Sequence, residues 1–307
     1  MRIVFFGSSV FSVPSLFTIS DKVTAVVTKK ARPKGRGYQI DDNEVKRAAL
    51  TLNIPLIEIN SFKDEEARTI ADYGPDLFVV ISFGLIVPKW ALLIPSIGPI
   101  NIHPSILPLY RGPSPMQWAL LNCDRNTGIT FIRMNEKMDE GDVIFQEMTE
   151  IKSDEDYISL SRRLALRSAD ILSGVIDRIE KEPVIEGKVQ DHSLATYSPI
   201  ITKEMGKISW ARSAREINCR IRAFVEWPTA YTFLDGRRLK IYHAMVDEAA
   251  SSAEVPGTIT AVTRAGLEVA TGSGLLTITD LQLENKKRMT AYDFSRGYRD
   301  LRKNMLN

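Results

Sequence analysis

Leu77-Phe78-Val79-Val80-Ile81-Ser82 is an uncharged, apolar run bounded by Pro75-Asp76 on one side and by Gly84 on the other. Its length and its β-branched and aromatic content read as a strand buried on both faces. Runs of the same kind stand at residues 2–6, 23–28, 55–58 and 100–103. Between them, residues 43–52 and 64–73 have helical spacing and charge. Short buried strands alternating with helices predict an α/β fold with a doubly wound, mostly parallel, Rossmann-like sheet. Two β-rich runs follow, 128–134 and 143–150, joined by a polar turn with a glycine, and read as an antiparallel addition to that sheet. Residues 154–182 predict a long amphipathic helix, N-capped by Ser153 and ended by Pro183.

The pattern then changes. Residues 183–206 lack a clear period. Beyond them come short strands at 230–234, 238–243, 257–262, 267–270 and 275–281, separated by turns such as Asp235-Gly236 and Gly272-Ser273-Gly274 and preceded by a helix carrying Arg215, Arg220 and Arg222. Closely spaced short strands predict a small barrel. We therefore divide the chain into a first domain over 1–188, a linker over 189–206 and a second domain over 207–307.

At 307 residues, 44% hydrophobic and 25% charged, the chain has the composition of an ordinary globular protein of one or two domains. Cys123 and Cys219 are its only cysteines, which excludes a cysteine-based zinc cluster and suggests no disulfide framework. The apolar run at residues 1–6 is too short for a signal-peptide core, and no stretch approaches the ~20 apolar residues that cross a bilayer. A cytoplasmic protein without membrane contact is expected. Net charge is +2, unevenly placed: residues 201–307 carry 17 Lys+Arg against 12 Asp+Glu. A mildly basic second domain beside a mildly acidic first one suits a polyanionic partner.

Four segments bear on chemistry. Gly7 follows a strand, but Ser8, Ser9 and Val10 come next, so the GxGxxG fingerprint of dinucleotide binding is absent. Gly98-Pro99-Ile100-Asn101-Ile102-His103 is the second. Residues two apart in a strand share a face, so Asn101 and His103 are neighbours at the carboxyl edge of the sheet, where ligands of open α/β folds bind. An amide there can donate to a developing oxyanion while an imidazole handles a proton near neutral pH. The third, Asn135-Glu136-Lys137-Met138-Asp139-Glu140-Gly141-Asp142, offers a carboxylate partner for His103, but spacing does not choose among its four acids. The fourth, 29–37, holds five basic residues (Lys29, Lys30, Arg32, Lys34, Arg36) among Pro and Gly, again over the carboxyl edge, and suits a phosphate backbone.

Together these segments resemble the folate-dependent formyltransferases. Asn101-Ile102-His103 followed by Ser105-Ile106-Leu107-Pro108 is similar to that family's Asn-x-His and Ser-Leu-Leu-Pro signature, and Tyr110-Arg111-Gly112-Pro113-Ser114-Pro115 continues it. Met138-Asp139-Glu140-Gly141-Asp142 looks like Leu-Asp-x-Gly-Asp, which singles out Asp139. Ser82-Phe83-Gly84-Leu85-Ile86, Tyr197-Ser198-Pro199-Ile200, Trp227-Pro228 and Lys286-Lys287-Arg288-Met289 extend the likeness over nearly the whole chain. The sequence departs at Gly7-Ser8-Ser9-Val10-Phe11, where the family has Gly-Thr-Pro-x-Phe, and at Lys29-Lys30-Ala31, where it has Gln-Pro-Asp.

The resemblance implies formyl transfer from 10-formyltetrahydrofolate, used as co-substrate without a metal, to the amine of methionine on initiator tRNA for translation initiation. It implies Asn101, His103 and Asp139 as the catalytic set. Phe83, Gly84, Leu85, Ile86, Ser105, Ile106, Leu107 and Pro108 would lie on the folate side. Arg32, Lys34, Arg36, Lys286, Lys287 and Arg288 would meet tRNA, with the second domain an OB-like barrel and the protein a monomer. The competing readings are a formyltransferase acting on an amino-sugar nucleotide, a formyl-folate hydrolase, which shares the three residues but lacks a long second domain, and a non-catalytic RNA-binding protein.

Overall fold

The computed structural model describes the chain apart from residues 32, 35–38, 41 and 299–300, and describes only the backbone at 33, 34, 39 and 40. Two compact units emerge. The first comprises Met1–Pro115, Asn126–Glu150 and Ser161–Ser198; the second comprises Met116–Arg125, Ile151–Leu160 and Pro199–Asn307. Of the segment read as a linker, residues 189–198 thus fall in the first unit and 199–206 in the second.

The elements run in the order β1 (Ile3–Gly7), α1 (Val13–Thr18), β2 (Val23–Lys29), β3 (Pro33–Lys34), β4 (Gln39–Ile40), α2 (Glu44–Thr51), β5 (Leu56–Ile59), β6 (Leu77–Ile81), α3 (Lys89–Leu92), β7 (Gly98–His103), α4 (Pro115–Leu121), β8 (Asn126–Arg133), β9 (Asp142–Glu150) and α5 (Tyr157–Lys181). One seven-stranded sheet takes the order β5-β2-β1-β6-β7-β8-β9. It is parallel from β5 to β7 and antiparallel from β7 to β9. β1 and β6, at its centre, are buried along their whole length, as the uncharged apolar runs require. On one face, Phe6, Phe62, Phe78 and Phe83 pack with tilted, stacked or edge-on rings.

Two helices differ from the sequence reading. Glu65–Tyr73 is a 3-10 helix. Its core-facing Ala67, Ile70 and Tyr73 stand three residues apart, the repeat that a 3-10 turn aligns on one side. The long helix α5 starts at Tyr157, because Asp156 rather than Ser153 caps it: the Asp156 carboxylate accepts the Ser159 N–H at 2.8 Å, and the Ser159 hydroxyl accepts the Asp156 N–H at 2.9 Å.

In the second unit, α6 (Ala214–Ala223) opens on a capping box formed by Ser213 and Glu216. It is followed by β10 (Ala230–Leu234), β11 (Arg237–Asp247), β12 (Ile259–Val262), β13 (Leu267–Ala270), β14 (Leu275–Leu283), β15 (Met289–Thr290) and α7 (Ala291–Arg296). The antiparallel sheet runs β10-β11-β14-β13-β12, with β15 on β14. Its two outer strands are both covered by the chain's last residues. Phe233 and Asn307 exchange backbone hydrogen bonds, Leu306 N–H donates to the Gly257 carbonyl, and Ile259 N–H donates to that of Asn304. The tail thereby joins the β10 side to the β12 side and removes two free edges. Cys123 and Cys219 are joined within this unit, their Cα atoms 5.6 Å apart and 96 residues apart in sequence. The sequence reading suggested no such bond, since nothing in the spacing shows that 116–125 folds against α6.

Leu306 is 2% exposed and belongs to the second unit's core. Leu306→Ala should therefore lower stability by about 2–5 kcal/mol, read as an earlier urea midpoint by circular dichroism.

Candidate active site

β7 is the strand at which the sheet changes from parallel to antiparallel pairing. Asn101 stands opposite Val80 of β6 and Ile132 of β8, and His103 stands opposite Thr130. The two side chains therefore share the sheet face at the carboxyl end of β7, as the strand period demands. Asn101 is partly exposed, and its amide has no hydrogen-bond partner among the described residues.

His103 is 5% exposed, and one of its ring nitrogens is hydrogen-bonded. Its Nε2 lies 2.9 Å from the Tyr110 carbonyl. A carbonyl only accepts, so Nε2 carries the proton and donates. Nδ1 is left facing the Asp139 carboxylate, whose Oδ2 is 3.6 Å away. That distance exceeds a hydrogen bond, so the pair is poised for a proton on Nδ1 or for a small polar group close by. The same Oδ2 accepts the Gly112 N–H at 2.8 Å.

The acidic loop sorts itself by partner. Glu136 pairs with Lys89 at the surface, at 2.7 Å, which raises the Lys89 pKa. Glu140 pairs with Arg111 at 3.3 Å and with Lys137 at 3.5 Å. Asp142 opens β9. Among the described residues only Asp139 brings a carboxylate to His103. It does so from a left-handed backbone, φ 54°, which costs an L-residue about 1–2 kcal/mol. The turn has no room to relax: a Cβ on Gly141 would stand 1.8 Å from the Arg133 carbonyl oxygen.

Behind this turn is a polar core that the sequence did not announce. Arg111 is 2% exposed. Its Nε and Nη2 donate to Gln190 Oε1 at 3.2 and 2.8 Å, and Nη2 donates to His192 Nδ1 at 2.9 Å. Gln190 Nε2 donates in turn to the carbonyls of Asp139 and Gly141, at 2.8 and 2.7 Å. Residues 196–198 strap the 110–112 segment. Thr196 Oγ1 accepts from Tyr110 N–H and the Thr196 carbonyl from Arg111 N–H, while the Ser198 hydroxyl lies 3.2 and 3.1 Å from the Tyr110 and Arg111 carbonyls. A buried-arginine network of this kind has no short-range signature. Arg111 stood in a quoted motif, and Gln190 in a segment without period.

The residues expected around this centre are placed unevenly. Phe83 is a core side chain, Leu85 packs beside it, and Gly84 and Ile86 are exposed, so 83–86 presents backbone and the Ile86 side chain. Ser105 and Leu107 are buried. The Ser105 hydroxyl donates to the Leu109 carbonyl, the Leu107 N–H donates to Thr130, and the Gln146 amide donates to the Leu107 carbonyl. Ile106 and Pro108 are partly exposed on this tied loop. Arg32 and Arg36 lie outside the described residues, as does the side chain of Lys34. In the second unit Lys286 and Lys287 are exposed. Arg288 is held bidentately by Asp280 and sits 4.2 Å over the Tyr242 ring. Among the described residues no His, Cys, Asp and Glu cluster is arranged to hold a metal ion, and no helix is long and apolar enough to cross a membrane.

Residues 1–176 match the formyl transferase family and residues 200–299 match the formyl transferase C-terminal domain. A methionyl-tRNA formyltransferase from Citrifermentans bemidjiense is 42% identical over 97% of this chain and 94% of its own. Among solved structures, a sugar 3N-formyl transferase determined in the presence of dTDP and 5-N-formyl-THF superposes with a TM-score of 0.68 at 20% identity, over 94% of this chain and 99% of that one. The methionyl-tRNA formyltransferase from Clostridium thermocellum superposes with a TM-score of 0.57 at 16% identity, over 81% and 95%.

The tight turn at Gly141 generates a prediction. Gly141→Ala must push the 138–142 turn away from Arg133, and a misplacement of about 1 Å at a reacting group can cost on the order of 100-fold in rate. Turnover should fall by that order while the far-ultraviolet circular dichroism stays that of the parent.

Proposed function

The chain belongs to the formyl transferase family, and on that premise we propose that it moves the formyl group of 10-formyltetrahydrofolate onto the α-amine of methionine carried by initiator tRNA, in the cytoplasm, for translation initiation. The observation that carries the choice of acceptor is the match to a relative of that activity across 97% of this chain, both units included. The likeness to a sugar formyltransferase is one of fold. An acceptor of RNA also accounts for the basic 29–36 segment and for the exposed Lys286 and Lys287, which a small nucleotide does not require.

In this reading the amine nitrogen attacks the formyl carbon, and negative charge grows on the formyl oxygen. The Asn101 amide, partly exposed and unpartnered among the described residues, fits the donor that meets this oxygen. His103 assists from Nδ1. Protonated there, it places a second donor at the centre, with the Asp139 carboxylate 3.6 Å away. Asp139 takes the proton released by the attacking amine, through a water, and that proton goes on to the folate nitrogen as the carbon–nitrogen bond to the folate breaks. Backbone at 83–86 and the tied 105–108 loop form the folate-side walls. Lys286 and Lys287 meet tRNA phosphates, while Arg288, already engaged by Asp280, shapes their loop.

Incubation with formyl-folate and either charged initiator tRNA or an amino-sugar nucleotide should give formylated tRNA alone; formylation of the sugar alone would sink this reading. His103→Ala should retain tRNA binding while losing turnover by about 100-fold or more, the typical cost of removing an oxyanion donor. Neutralising Lys34 and Arg36 together should weaken tRNA use and reduce the slope of log affinity against log salt by about 2, with folate binding unchanged.

A further inference from the structure

We propose that Gln190, oriented by the buried Arg111, is a positioning residue for the reaction: it holds Asp139 in its left-handed turn and so sets the carboxylate against His103. The inference rests on the reading that Asp139 acts with His103. The Gln190 side chain is 5% exposed and its hydrogen-bonding capacity is fully engaged. Oε1 accepts two N–H groups of Arg111, and Nε2 gives one hydrogen to each of the carbonyls of Asp139 and Gly141. The amide has one possible orientation. A guanidinium only donates and a carbonyl only accepts, so a flipped amide would set donor against donor and acceptor against acceptor.

The hold on Asp139 comes from two sides. Gln190 fixes its carbonyl and that of Gly141, while the Gly112 N–H fixes its carboxylate. Gly112 adjoins Arg111, so the Arg111-Gly112 pair governs both grips. Without the amide, two carbonyls lose their donors in a buried setting, and a residue at φ 54° loses the contacts that oppose its strain.

Gln190→Glu tests this with little change of shape. The new carboxylate keeps the Arg111 pairing and turns an oxygen toward the two carbonyls. Expected is a kcat lower by about 10- to 100-fold, as for a displaced reacting group, with KM for formyl-folate within about 3-fold. Activity relative to the parent enzyme should rise as pH falls from about 8 to about 5, because the protonated carboxyl regains one donor. A merely structural role would not produce that pH dependence. Gln190→Ala, checked by circular dichroism, carries the test if the first variant does not fold. Asp139→Asn and the Asp139→Asn/Gln190→Ala double variant complete a cycle in which the second change should add little to the first. If Asp139→Asn keeps parental turnover, the role of Asp139 is wrong whatever Gln190 does. If it loses turnover while both Gln190 variants keep kcat with a flat pH ratio, or if the two losses multiply, the positioning role of Gln190 is wrong.

Discussion

The hydrogen bond from His103 Nε2 to the Tyr110 carbonyl is the constraint around which the candidate site is arranged. It decides the tautomer, because the acceptor has no proton to offer. With Nε2 committed, all acid–base capacity of the ring is at Nδ1, and Nδ1 looks at Asp139. Tyr110 must then be fixed in turn. It sits at φ 61°, its N–H is taken by Thr196, and its carbonyl is shared with the Ser198 hydroxyl. A ring on a strand end is thus oriented by a loop, and the loop is oriented by residues almost ninety positions further along the chain.

The sheet explains why this can be done at β7. A strand with a parallel neighbour on one side and an antiparallel one on the other lies beside two different kinds of connection. The β6 side supplies an open loop after Ile81, while the β8–β9 turn leaves the sheet beside the start of β7, where Arg133 stands opposite Ile100, and folds back to set Asp139 against His103. A purely parallel sheet would send the chain through a helix before returning. The hairpin returns a carboxylate in a few residues.

What the sequence made legible follows from the range of the forces involved. Buried parallel strands leave apolar runs of five or six residues, so β1, β2, β5, β6 and β7 were readable to within two residues at each end. Asn101 and His103 were readable as a pair because a strand has a period of two. Asp139 was not separable from Glu136, Glu140 and Asp142 by spacing, since what distinguishes it is a turn geometry and a Gly112 N–H 27 residues away. The start of α5 went to Asp156 over Ser153 through a reciprocal bond with Ser159 that composition does not reveal. Gln190 was invisible for a stronger reason: a residue whose partners are Arg111 and two backbone carbonyls imposes no pattern on its own neighbours.

Arg111 shows what such a network costs and what it returns. Removing a guanidinium from water carries an effective penalty of several kcal/mol, and an apolar side chain of similar volume would fill the same space without it. Glu140 at 3.3 Å, Gln190 and His192 offset that penalty in part. An apolar replacement would lack one property, however. It would not distinguish the two ends of the Gln190 amide, which could then turn its oxygen toward the carbonyls of Asp139 and Gly141. A group that can only donate removes that alternative. The buried charge is therefore better understood as a device for orientation than for stability, and the orientation it enforces ends at the Asp139 carboxylate.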